Sequence, residues 1–92
     1  MTERQIERNL KREVEKRGGL AMKLNSPGLS GVPDRLVLVK HGRACFVELK
    51  APGSRLRALQ QYRKRQLESL GFDVWVIDSL DGVEAFLREV MG

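Results

Sequence analysis

Of the side chains that build soft metal centres, this 92-residue sequence has almost none: one cysteine, Cys45, and one histidine, His41. No disulfide can close within the chain, and no His/Cys cluster is available for zinc. A metal site here would have to use oxygen ligands, which suits Mg2+ or Mn2+. Cys45 falls inside an apolar segment and reads as a small core residue. No apolar run is long enough to span a membrane and no signal peptide is visible, so a soluble, cytoplasmic protein without a membrane partner is expected. Internal repeats, linkers and low-complexity stretches are also missing, and residues 1–92 read as one domain with a modest core.

What the sequence does have is positive charge. Lys and Arg number 17 against 12 Asp and Glu, a net of +5, and such a surface favours polyanions, of which nucleic acid is the simplest. The cations gather in two segments. Arg4, Arg8, Lys11, Arg12, Lys16 and Arg17 fall in the first, and Arg55, Arg57, Arg63, Lys64 and Arg65 in the second. Many of them serve only as a solubilising face, while some are expected on phosphates, which positions a duplex without reading its bases. Aromatics are few, with Tyr62 and Trp75 the obvious candidates for base stacking, and Trp75 is expected to pack in the last strand region. That scarcity disfavours a single-strand stacking mode and favours duplex backbone or branched shape.

The order of elements reads α-β-β-β-α-β-α. Thr2 with Gln5 fits a capping box, Ile6, Leu10 and Val14 mark one helical face, and Gly18-Gly19 end that helix. Leu20 to Leu24 is a short strand, and Asn25 to Gly31 is a loop. Leu36 to Val39 and Ala44 to Leu49 are strands joined by Lys40-His41-Gly42, which suits a type I turn closed by a left-handed glycine. A helix then runs to about Leu70, with Leu56, Leu59, Leu67 and Leu70 as its core stripe, and Gly71 stops it. Phe72 to Ile77 is predicted as a strand buried on both faces and parallel to the Glu48 strand, making the sheet mixed. Asp81 with Glu84 caps a last helix bearing Val83, Phe86, Leu87 and Val90.

The chemistry follows from the hairpin register. With a three-residue loop Val39 faces Arg43, so Asp34 faces Glu48, and directly opposed residues project to the same side with Cβ atoms roughly 4.5–5.5 Å apart. Lys50, two residues beyond Glu48, shares that face. Opposed carboxylates repel unless something positive lies between them, and a hard cation is the natural resolution. An isolated Glu-x-Lys is ordinary on a solvated strand. It gains weight here from Gly31-Val32-Pro33-Asp34, the turn and the basic helices. The set can hold a divalent cation beside a phosphodiester and activate water.

These residues resemble a small stand-alone VRR-NUC domain, the virus-type replication-repair nuclease branch of the PD-(D/E)XK superfamily. The resemblance runs over nearly the whole chain: Ile6-Glu7, Gly18-Gly19, Lys23, Gly31-Val32-Pro33-Asp34-Arg35, Phe46-Val47-Glu48-Leu49-Lys50, Pro52-Gly53, Gln60, and Leu70-Gly71 before a Val-rich strand. It implies a restriction-endonuclease-like fold, a metal-dependent DNA nuclease of the kind viruses and phages encode, and Asp34, Glu48 and Lys50 as signature residues. It also raises Glu7 on the first helix as a third acid that holds a metal-associated water, with Glu3 one turn earlier as competitor. Gln60 would orient Lys50, the water or a phosphate.

In the expected mechanism Asp34 and Glu48 ligate Mg2+, with Mn2+ able to substitute, and the Leu49 backbone carbonyl is a third ligand. Lys50 orients the water or stabilises charge at phosphorus. One catalytic set per short chain suggests a homodimer if two strands must be cut symmetrically. Branched DNA, above all the four-way (Holliday) junction, is the leading substrate, in keeping with DNA repair. The alternatives are a flap, nicking or nonspecific duplex nuclease, and a non-catalytic DNA-binding module that keeps the fold.

Overall fold

The computed structural model describes residues 1–92 and carries the elements in the predicted order. Helix α1 (Glu3–Lys16) is opened by the capping box of Thr2 and Gln5, whose side chains and backbones exchange hydrogen bonds of 2.8 and 3.2 Å. Gly18, left-handed at φ 85°, turns the chain out of it. Strands β1 (Leu20–Lys23), β2 (Arg35–Val39), β3 (Arg43–Leu49) and β4 (Asp73–Ile77) form one sheet in the order β1-β2-β3-β4. The first three are antiparallel neighbours, and β4 runs parallel to β3 after a crossover through α2 (Ala58–Ser69). Helix α3 (Leu80–Met91) ends the chain.

Strand alternation divides the sheet into two unlike faces. Val37, Cys45, Val47, Leu49 and Ile77 point to one side, where Ile6, Leu10 and Val14 of α1 and Val83, Phe86, Leu87 and Val90 of α3 close over them. This side holds the whole buried core, and Trp75 packs against it with its ring edge-on to Phe86 at 5.2 Å. The other side carries Leu36, Phe46, Glu48, Val74 and Val76, and α2 lies over its β4 half.

Four sequence expectations need correction. The α2 leucines do not form a core stripe: Leu59 and Leu70 are 47% and 67% exposed, and the one buried side chain of the helix is Arg63. Phe72 to Ile77 is not buried on both faces, because β4 is the sheet edge and α2 covers it loosely, leaving Val76 40% exposed. The hairpin keeps the predicted register, Val39 opposite Arg43, but His41 joins Gly42 in the left-handed region (φ 68° and 74°), so the turn is not type I. The last helix is capped by Ser79, whose hydroxyl accepts from the Gly82 N–H at 2.9 Å, and not by Asp81.

Candidate functional site

Register decides where the acids meet. Arg35 pairs with Val47, so one step further along the ladder Asp34 stands opposite Glu48. The two are cross-braced. The Asp34 carboxylate accepts from the Leu49 N–H at 2.9 Å, and the Glu48 carboxylate accepts from the Asp34 N–H at 3.2 Å. Each side chain thus satisfies the backbone of the other's strand end. The Leu24 N–H donates to the Asp34 carbonyl at 2.9 Å, extending the β1–β2 pairing, and Pro33 before it is buried.

Glu48 is 4% exposed, and its second carboxylate oxygen receives two more groups. Gln60 Nε2 donates to it at 2.7 Å, and Lys50 Nζ lies 3.6 Å away. The Gln60 amide cannot flip, because its oxygen already accepts from the Arg57 N–H at 2.9 Å. Burial pushes the Glu48 carboxyl up to about 7, and the neighbouring Asp34 charge pushes the same way while Lys50 opposes them. A buried carboxylate beside another, only partly compensated by one ammonium, is the electrostatic signature of a place where a cation would be stabilising.

Asp34, Glu48, Lys50 and Gln60 are therefore brought together, as is the chain at Leu49. Glu7 is placed elsewhere. It sits on α1, on the core side of the sheet, with its carboxylate 3.0 Å from Arg35 Nε, and Arg35 also donates to the Ala21 carbonyl at 2.9 Å. Glu3 is exposed in the first turn of the same helix. No group of three His, Cys, Asp or Glu side chains gathers anywhere in the protein. None of the surface clefts is lined by Asp34, Glu48 or Lys50.

The two basic segments lie on opposite sides of the sheet. Arg8, Lys11, Arg12 and Lys16 ride on α1, away from Glu48, and Lys11 is paired with Glu15 at 3.2 Å. Arg55, Arg57 and Arg65 are exposed on the Glu48 side, while Lys64 is paired with Glu68 at 2.9 Å. Arg63, counted among these cations by sequence, is not a surface group: it is 8% exposed and donates to the Ser30 carbonyl at 3.1 Å and to Gln66. Its spacing of three from Gln60 was the available signal, since that places both on one face of α2.

A four-stranded mixed sheet with helices on both faces, carrying an acid, a second acid and a lysine at the start of one strand and the end of its neighbour, defines a nuclease-type α/β fold. No family model matches the chain. It is 49% identical over 76 residues to "Putative nuclease p44" of Acyrthosiphon pisum secondary endosymbiont phage 1, covering 83% of this chain and 82% of that protein. Among solved structures it superposes on a "VRR_NUC domain" with a TM-score of 0.89 at 28% identity, over 98% of this chain and 99% of the other. The chain belongs to the VRR-NUC nuclease family. No helix is long and apolar enough to cross a membrane.

Proposed function

We propose that this protein is a divalent-cation-dependent DNA endonuclease that hydrolyses phosphodiester bonds, acts as a homodimer, and selects branched DNA such as the four-way junction. One observation carries the chemistry: half-buried Asp34 and buried Glu48 cross-braced to each other, with the Lys50 ammonium 3.6 Å from Glu48.

Asp34, Glu48 and the Leu49 carbonyl are the groups that would hold the cation, while Glu7 would act only indirectly, through its ion pair with Arg35, the neighbour of Asp34. The pair fits this use. Mg2+ takes one or two carboxylates and keeps several waters, and a carboxyl raised to about 7 by burial and a like charge gains from a cation beside it. When bound, Mg2+ or Mn2+ supplies Lewis acidity at a phosphate oxygen and a water of lowered pKa. Lys50, its side chain 12% exposed, is a fixed cation for negative charge that develops on the phosphate. Gln60 keeps the Glu48 carboxylate oriented by its 2.7 Å bond.

The homodimer reading is supported by neighbouring apolar side chains left open on the edge strand β1, Leu20 and Met22, 49% and 42% exposed. An open sheet edge bearing exposed apolar side chains can serve as a contact surface, and two copies would supply one site for each strand of a symmetric junction. The test is a Mg2+ substrate panel of four-way junction, flap, linear duplex, single strand and RNA, with the molecular mass measured in solution. Paired symmetric cuts in the junction are expected. Equal cutting of linear duplex would replace this reading with a flap, nicking or nonspecific nuclease. Junction binding without cleavage in Mg2+ or Mn2+ would leave a DNA-binding module.

A further inference from the structure

Helix α2 grips both segments that carry the paired acids. Through Gln60 it holds Glu48 at 2.7 Å. One turn on, Arg63 is buried to 8% and donates its Nε to the Ser30 carbonyl, 33 residues upstream, at 3.1 Å. Its guanidinium is fixed in turn by the Gln66 side chain at 2.5 Å. At Leu59, beside Gln60, the helix backbone meets the same loop directly. Gly31 is left-handed at φ 79°, and a Cβ added there would lie 2.8 Å from the Leu59 carbonyl oxygen. Only Val32 and Pro33 separate Gly31 from Asp34, and buried Pro33 limits how far the segment can bend.

We propose that Arg63 is a positioning residue: by clamping Ser30–Gly31 onto α2, it fixes where the Asp34 carboxylate stands relative to Glu48. The separation of the two acids is then set by one rigid helix rather than by the hairpin alone. A buried arginine spent on a loop carbonyl has no partner acid within the clamp, and its guanidinium fork suits two oxygens at fixed angles in a way that a lysine does not. The cation-binding role of the pair rests on the function proposed above, whereas the clamp itself does not.

The Leu49 N–H reports the position of Asp34 without metal, DNA or turnover, because the Asp34 carboxylate is its acceptor at 2.9 Å. Amide exchange in metal-free buffer should show Leu49 exchanging at least tenfold faster in Arg63→Gln, with Cys45 and Val47 in the same strand unchanged. Arg63→Lys should recover only part of the protection. Gly31→Ala, which pushes the loop off the helix, should match Arg63→Gln, and the double variant should be no worse than the poorer single, since both break one joint. Leu67→Ala lowers the melting temperature from the same helix, away from the loop, and should leave Leu49 protected. Mn2+ titration by calorimetry should show about tenfold weaker binding for Arg63→Gln and Gly31→Ala, the scale of losing an outer-shell partner. Wild-type Leu49 protection in folded Arg63→Gln and Gly31→Ala overturns the clamp, as does equal loss in Leu67→Ala. A wild-type protein that binds no Mn2+ while Arg63→Gln still loses Leu49 protection refutes the cation reading and leaves the clamp standing.

Discussion

Replacing Glu48 by glutamine should make the metal-free protein more stable in alkali and less stable in acid. Folding carries the Glu48 carboxyl from 4.5 to about 7, so ionising it costs about 3 kcal/mol more in the fold than in the unfolded chain. The sign follows from linkage. A raised folded value means the neutral form is the one the fold prefers, so its contribution is complete below pH 4.5 and lost as pH rises through about 7. At pH 8 the wild type bears the full penalty and Glu48→Gln does not. Against this, the new amide can accept from only one side. Gln60 Nε2 and Lys50 Nζ both approach one oxygen, so the amide keeps its oxygen there and turns its NH2 toward the Asp34 N–H, which forfeits about 1 kcal/mol of hydrogen bonding. The balance is roughly 2 kcal/mol in favour of the variant at pH 8, or about 10 °C in a domain of this size. At pH 5 about 1 kcal/mol of the penalty remains and offsets the lost hydrogen bonding, so the two proteins should melt at nearly the same temperature, with the variant falling below wild type only as pH drops under 4.5. Thermal melts in chelator at both pH values measure the difference, and subtracting one protein from the other cancels the remaining titrating groups. A melting difference of the same sign and size at pH 5 and pH 8 would refute the reasoning. Adding Mg2+ at pH 8 should raise the wild-type melting temperature by mass action and leave the variant unmoved.

Asp34→Ala and Glu48→Ala should each abolish cleavage while junction binding persists in metal-free buffer, read by gel shift beside a cleavage assay; a folded Glu48→Ala enzyme with wild-type rates would sink the site. Lys50→Ala should lose nearly all cleavage, and because Lys50 opposes the rise at Glu48, the fall in its stability with pH should be deeper and reach to higher pH than in wild type, seen in the same melts. Gln60→Ala should raise the Mg2+ concentration for half-maximal cleavage by about tenfold, and Glu7→Ala should lose activity less steeply, since its carboxylate reaches the pair only by way of Arg35. Junction affinity should fall steeply between 50 and 200 mM salt through counterion release, and an affinity indifferent to salt would remove the case for phosphate contacts.

The sequence was most legible where local chemistry settles structure. A capping box, glycine stops and a 3–4 spaced apolar stripe specify α1 without help from the rest of the fold, and the loop length of Lys40-His41-Gly42 fixed the β2–β3 register although the turn conformation was misjudged. That register alone brought Asp34 to Glu48. It was least legible where layers compete. Spacing shows that leucines share a helix face but not whether that face finds a core, and here α1 and α3 already fill one side of a four-stranded sheet while α2 lies over half of the other. Phe72 to Ile77 departs from its expected burial for the same reason: a Val-rich run is apolar whether it lies in the middle of a sheet or, as here, at its edge.

Within the candidate site, the residues that sequence singles out are those whose proposed role depends on their own chemistry, and the one it passes over is proposed to act through geometry. Two acids and a lysine on one strand face announce themselves by charge. Arg63 does not, because in the run Arg63-Lys64-Arg65 three cations look alike until the fold buries one against a carbonyl 33 residues upstream. Arg35 is similar. Beside Asp34 it reads as part of a motif, yet alternation sends it through the sheet to Glu7 and the Ala21 carbonyl, so the first-helix acid meets a cation before it can meet a metal. The two arginines thus do comparable work from opposite faces. One ties the segment before Asp34 to α2, and the other ties the residue after it to α1. The position of a single carboxylate is fixed between them by charges that composition alone would assign to the binding of DNA.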